Sequence, residues 1–164
     1  MIVVSNSSPL IVLTKIGHLD LLPKLYGEIT ITPEVFEELT RSGQHLPAAV
    51  EISTASWIKV RPAMSGTDRL TPLRTGLGIG ETSAIELAKE LRADLVLLDD
   101  RKARRTAQEE GLNVLGTVGV LEDAFGLKLL DDLATAYRKL LAAGAYINLE
   151  ILQDSLKSHD LPEL

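Results

Sequence analysis

The sequence predicts an α/β layered domain, with helices packed on a parallel sheet, and three observations carry that expectation. Aliphatic runs such as Ile2-Val3-Val4-Ser5 and Leu95-Val96-Leu97-Leu98 have the look of fully buried strands. From Gly80 onward such runs alternate with segments of helical period, the order that parallel strands and crossover helices produce. Hydrophobic residues make up 45% of the chain but aromatics only 4%, so the core is aliphatic.

Each element has its own signal. Ile2–Ser5 is a β-branched strand, and Ser5-Asn6-Ser7-Ser8-Pro9 supplies small oxygen-bearing caps and a proline suited to a first helical turn. Leu10, Ile11, Leu13 and Ile16 continue that helix to Gly17. A short helix near Leu19–Tyr26 ends at Gly27, Ile29–Ile31 is a strand, and Thr32-Pro33 opens a helix with Val35, Phe36 and Leu39 on one face. Arg41–Pro47 reads as loop, Ala48–Ile52 as a helical turn, and Trp57–Val60 as a third strand. Arg61–Gly80 has no clear period and is the candidate for a mobile loop. Then follow a helix over Glu81–Leu91, a strand over Leu95–Leu98, a helix over Lys102–Glu110 ended by Gly111, a strand at Val114-Leu115 and a helix over Thr117–Phe125. The tail is helical over Leu130–Ala143 and Leu149–Lys157. At 164 residues this is one domain, with a core over 1–126 and C-terminal helices over 127–164.

Composition narrows the function. A net charge of −6 argues against broad non-specific attraction to nucleic acid, although bound metal and a local basic patch can reverse the potential at one site. So few aromatics exclude a base-stacking platform. With no cysteine there is no disulfide, thiolate zinc site or cysteine nucleophile. No segment has the length of a membrane span or the pattern of a secretory signal, and a cytoplasmic location is expected.

Four acidic or polar segments stand at element edges: Asn6 with Ser8, Glu38, Glu81, and Asp99–Asp100. In an open parallel sheet functional groups gather beyond the carboxyl ends of the strands. Asn6 follows the first strand and Asp99–Asp100 follow Leu95–Leu98, while Glu38 and Glu81 come from helices able to face that edge. Taken singly each has an ordinary role: Glu81 as dipole compensation, Glu38 as a solvated charge, the others as caps. Jointly they form a plausible oxygen-donor cluster for a hard divalent cation.

The chain also resembles a known family. Val4-Ser5-Asn6-Ser7-Ser8-Pro9-Leu10, Pro33-Glu34-Val35-Phe36-Glu37-Glu38-Leu39, Gly80-Glu81-Thr82-Ser83-Ala84-Ile85-Glu86-Leu87-Ala88, Ala93 through Arg104, and Gly116-Thr117-Val118-Gly119-Val120-Leu121 occur in the order expected of PIN-domain proteins. More narrowly, the chain is similar to the branch related to the VapC toxins of prokaryotic toxin–antitoxin pairs. The resemblance implies a PIN-like three-layer domain, a parallel sheet of about five strands between helices, with a short helical C-terminal extension. It implies Mg²⁺- or Mn²⁺-dependent hydrolysis of RNA by an endoribonuclease, an antitoxin partner and a homodimer.

Carried over by position, Asn6 stands where the family has its first aspartate, and Glu38 and Glu81 match the second and third acidic positions. The fourth falls on Asp99 or Asp100. These five are the expected metal set, and Glu38, Glu81, Asp99 and Asp100 the expected catalytic acids. Ser8, Thr117, Arg101 and Lys102 are the expected substrate contacts, with Arg104 and Arg105 as further basic residues that suit either phosphate or solvent. An amide at Asn6 lacks the charge of an aspartate, so a non-catalytic RNA- or protein-binding module is the competing expectation. A response-regulator-like domain phosphorylated on Asp99 would need an acidic pair after the first strand, which is absent.

Overall fold

The structure, a computed structural model, describes residues 1–41, 47–64 and 69–164. Among these, five strands and ten helices follow one another as β1 (Val3–Ser5), α1 (Ser7–Lys15), α2 (Leu21–Tyr26), β2 (Ile29–Ile31), α3 (Pro33–Arg41), α4 (Pro47–Thr54) and β3 (Ile58–Val60). The second half runs α5 (Pro72–Thr75), α6 (Ile79–Leu91), β4 (Leu95–Leu97), α7 (Arg101–Glu109), β5 (Val114–Leu115), α8 (Thr117–Gly126), α9 (Leu133–Ala142) and α10 (Leu149–Ser158).

The strands form one parallel sheet in the order β3-β2-β1-β4-β5. β1 lies at its centre, with Val4 opposite Thr30 of β2 on one side and Val96 of β4 on the other. Successive side chains of a strand point to opposite faces, and every residue of β1 and β2 is buried. Both faces of the sheet are therefore covered, which is why these strands are short continuous apolar runs instead of alternating ones. The expected α/β fold with a five-stranded parallel sheet flanked by helices is the fold observed.

Helix ends follow local chemistry. Asp100 accepts a hydrogen bond from the Ala103 N–H at 2.9 Å and starts α7 one residue before the expected Lys102. Asp132 does the same for Thr135 at 2.9 Å, so α9 begins at Leu133 and not at Leu130. α6 extends back to Ile79, two residues before Glu81.

One expectation needs correction. The stretch Arg61–Gly80, read as irregular and mobile, contains α5 and the start of α6 and is tied to α6 at Met64, Leu70 and Thr75; residues 65–68 lie outside the described residues, as do residues 42–46 of the expected Arg41–Pro47 loop. Glu90 accepts the Met64 N–H at 2.9 and 3.0 Å, and Glu86 accepts the Leu70 N–H at 3.1 Å. Leu70 and Leu77 are buried, and Thr71 caps the one-turn helix α5 with Pro72 at its first position. Carboxylates of a neighbouring helix thus satisfy backbone donors that have no secondary structure of their own. The apolar residues of α10 divide between two fates: Leu152 and Leu156 complete the core, while Leu149 and Ile151 stay exposed.

Candidate active site

The strand order reverses beside β1: β2 and β3 lie on one side, β4 and β5 on the other. A crevice opens beyond the carboxyl ends of the strands at such a switch point, and ligands bind there in open α/β sheets. Asn6 leaves β1 at this point and Asp99–Asp100 leave β4. The Asn6 N–H donates to the Leu97 carbonyl at 3.1 Å, fastening the two strand ends together.

Glu38 and Glu81 meet on one side of the crevice. Glu38 projects from α3 and accepts hydrogen bonds from Ser7 Oγ at 2.9 Å and from the Gly80 N–H at 3.2 Å. The approach depends on Gly80 lacking a side chain, since a Cβ there would collide with the Glu38 carboxylate. Glu81, in the first turn of α6, accepts the Gly78 N–H through Oε2 at 3.2 Å. Two acids therefore share the positive N-terminal end of α6, which favours their charge. Burial nevertheless pushes the Glu81 carboxyl above its ordinary range; the Gly78 N–H opposes this, and the charges of Asp100 and Glu38 add to it.

The pair after β4 divides its work. Asp99 receives the Thr117 N–H on Oδ1 and the Thr117 hydroxyl on Oδ2, both at 2.7 Å, and so caps the N-terminus of α8. Ser8 Oγ also faces Asp99 Oδ2, at 3.5 Å. Asp100 is exposed, uses Oδ2 to cap α7, and acts on Glu81 through its charge. The expected residues thus gather in two groups: Glu38, Glu81 and Asp100 beside α6, and Asp99, Thr117 and Ser8 beside α8.

Arg101 and Lys102 begin α7 exposed, with no acidic residue in that first turn. Cations at a helix N-terminus oppose the macrodipole, so these positions gain nothing from the helix itself. Lys102 Nζ donates to the Gly76 carbonyl at 3.3 Å, spanning from α7 to the turn before α6.

Asn6 is 4% exposed, and its Oδ1 is a buried acceptor with no hydrogen-bond partner among the described residues. Unpaired buried polar atoms are costly, and an orphan oxygen next in sequence to Ser7 and Ser8, which face Glu38 and Asp99, suits a cation or its water shell. Among the described residues, no three acidic or histidine side chains converge closely enough to cage a metal by themselves. The set fits Mg²⁺ or Mn²⁺ in the way Mg²⁺ is commonly held, through one or two carboxylates while keeping several waters. It does not fit an ion that needs a complete protein cage.

Two participants were missed from sequence. Ser7 is indistinguishable from its neighbours in a serine-rich turn. Gly80 becomes informative only once α6 is seen to begin at Ile79, because glycine inside a helix is costly and points to a close approach.

The comparisons with known proteins agree with this fold. The family model described as DUF3368: PIN domain matches residues 2–160. A PilT N-terminus domain protein, SSO1118, from the hyperthermophilic archaeon Sulfolobus solfataricus P2 is similar in structure, with a TM-score of 0.52 and 19% identity. That match covers 90% of this chain and 98% of the archaeal one, and at such identity it supports the fold alone. No curated protein matches the chain in sequence. PIN domains are generally metal-dependent nucleases. With its parallel sheet, its oxygen donors at the switch point and a family match over nearly its whole length, the chain belongs to the PIN domain family.

Proposed function

We propose that this protein is a divalent-metal-dependent endoribonuclease, of the kind that serves as the toxin of a toxin–antitoxin pair. The observation that carries the nuclease reading is the sharing of the N-terminus of α6 by Glu38 and Glu81, where the charge of Asp100 also acts on Glu81; the orphan Oδ1 of Asn6 supports it. The toxin assignment rests on the sequence resemblance alone.

Mg²⁺ or Mn²⁺, when bound, supplies a more acidic water and a counter-charge for the phosphate. Glu38, Asp100 and the Asn6 carbonyl oxygen would hold the ion directly or through water. Glu81 Oε1 is the oxygen left over from the Gly78 contact, and a carboxyl with a raised pKa suits accepting a proton from the attacking water. Arg101 and Lys102 orient the RNA backbone, and Thr117 with Ser8 fixes Asp99 at the rim. Water attacks phosphorus in line, the phosphodiester P–O bond breaks, and the leaving oxygen takes its proton from solvent.

Cleavage of a fluorescent RNA with Mg²⁺ or Mn²⁺, compared between wild type and Glu81→Ala, tests this. Activity that requires the ion and falls at least about a hundredfold in the variant is expected. A protein that neither binds nor uses any divalent ion at millimolar concentration is not this nuclease.

The amide at Asn6 favours a second reading, a PIN-like module that binds RNA or protein with a weakened metal site. It differs in one outcome: Asn6→Asp would then create cleavage where wild type has none. On the nuclease reading the same variant tightens metal binding in a protein that already cuts RNA.

A further inference from the structure

A cavity of about 360 Å³ lies between α7, α8 and α10, next to the acidic crevice but outside it. Its volume falls at the small end of ligand sites, which run from about 300 to 1,000 Å³. Gly116 belongs to both places: a Cβ there would stand 3.1 Å from Asp99 Oδ1 and 3.1 Å from Arg104 Nη1. Arg104, a half-buried residue of the cavity's lining, makes no side-chain hydrogen bond or ion pair with any of the described residues. A partly desolvated cation without a partner is unfavourable unless an anion completes it.

The cavity also carries a fixed acceptor. Ser155 Oγ donates to Glu122 Oε1 at 2.5 Å and pairs with the buried Tyr137 hydroxyl at 2.6 Å. This chain from α9 through α10 to α8 holds the Glu122 carboxylate in place and leaves Oε2 without a hydrogen bond among the described residues. Val118 and Ile151 give the cavity apolar surface, and Asp154 adds a second carboxylate to its lining. A cation to meet a phosphate, apolar surface to meet a base and a fixed acceptor to meet an amino group are together what a nucleotide requires.

We propose that this cavity takes one nucleotide of an RNA strand beside the scissile phosphate, with Arg104 on its phosphate and Glu122 selecting a base that carries an exocyclic amino group. The proposal rests on the nuclease reading for its placement beside the cut. A carboxylate accepts from the amino group of cytosine but repels the carbonyl that uracil presents at the same position. The protein accordingly prefers cytosine over uracil at that nucleotide.

The test uses the full chain and fluorescein-labelled RNA hexamers of cytidine and of uridine. Binding is followed by anisotropy in EDTA, and Mn²⁺-dependent cleavage of the same RNAs in parallel. Wild type binds the cytidine hexamer about tenfold more tightly. Glu122→Gln still accepts from Ser155 but offers N–H₂ to the base, so the preference is lost or reversed. Arg104→Gln weakens both RNAs about equally, and Ser158→Trp, which fills the cavity from an exposed position, weakens both as well. Circular dichroism confirms that each variant is folded.

An unchanged cytidine-to-uridine ratio in Glu122→Gln overturns the proposal, as does RNA binding that ignores Ser158→Trp. If Ser158→Trp instead abolishes self-association and spares RNA binding, the cavity seats a second copy and the proposal fails. Cleavage without base preference removes the pocket and leaves the nuclease standing. Base preference without cleavage under any divalent ion removes the nuclease and leaves a nucleotide-binding cavity.

Discussion

At the scale of single residues, the acidic pair after β4 is the sharpest case of neighbours with different work. Asp100→Asn keeps a good N-cap for α7, so thermal stability should hold while metal affinity falls about tenfold or more. Asp99→Asn disturbs two hydrogen bonds to Thr117, and about 1 kcal/mol of stability should be lost with metal affinity largely kept. Chemical denaturation and metal titration of both variants separate the two roles; equal behaviour would defeat the distinction. Glu81 carries a linked prediction. Its carboxyl titrates above the ordinary value of 4.5, so the folded chain holds that proton to higher pH than the unfolded chain does. Stability contributed by this group therefore falls as pH rises from the unfolded value through the folded one. Glu81→Gln should raise the melting temperature at pH 7, with no gain at pH 3.5, where both forms are protonated. Mg²⁺ should raise the wild-type melting temperature at pH 7 and do so less in Glu38→Gln, which loses a carboxylate that would hold the ion.

At the scale of elements, the site depends on how α3 and α6 are allowed to approach. Gly80 is in a helix, where alanine would ordinarily add about 0.5–1 kcal/mol of stability. Here the added Cβ collides only with the movable end of Glu38. Gly80→Ala should keep or raise the melting temperature while weakening metal binding and cleavage, because the Glu38 carboxylate must leave the end of α6. Isothermal titration with Mn²⁺ beside a thermal melt decides the matter; a variant that loses stability and keeps affinity contradicts it. The boundaries of β2 and β5 were legible in sequence because β-branched runs stood between unmistakable breakers. The start of α9 was not, since Leu130 continues the apolar period while Asp132 sets the cap. α5 was missed although Thr71-Pro72 is a helix-start signal, because one turn is too short to show a period.

At the scale of the whole molecule, α9 and α10 are part of one continuous core. Leu133, Ala136, Tyr137, Leu140, Leu152 and Leu156 are all buried. Each large apolar side chain contributes roughly 1.5–3 kcal/mol when buried, against a total stability of about 5–15 kcal/mol. Removing residues 149–164 should therefore abolish cooperative unfolding, as read by calorimetry; a truncated chain that melts like wild type would show that α10 is an appendage. Among the described residues no helix is long and apolar enough to cross a membrane.

The strands, most of the helices and the PIN resemblance are legible in the chain alone, because short aliphatic runs, caps and ordered motifs are local and survive without coordinates; the strand order β3-β2-β1-β4-β5 and α5 are not. The chain alone also named the acids that approach the crevice. Tertiary structure decided which of them meet. Glu38 reaches Glu81 only through the gap left at Gly80, and Asp99 turns to Thr117 while Asp100 turns to α7. The fold also leaves Asn6, just after β1, with a buried oxygen that has no hydrogen-bond partner among the described residues. Spacing along a chain fixes which residues can face one edge, but the direction of each side chain is set by donors that lie far away in sequence.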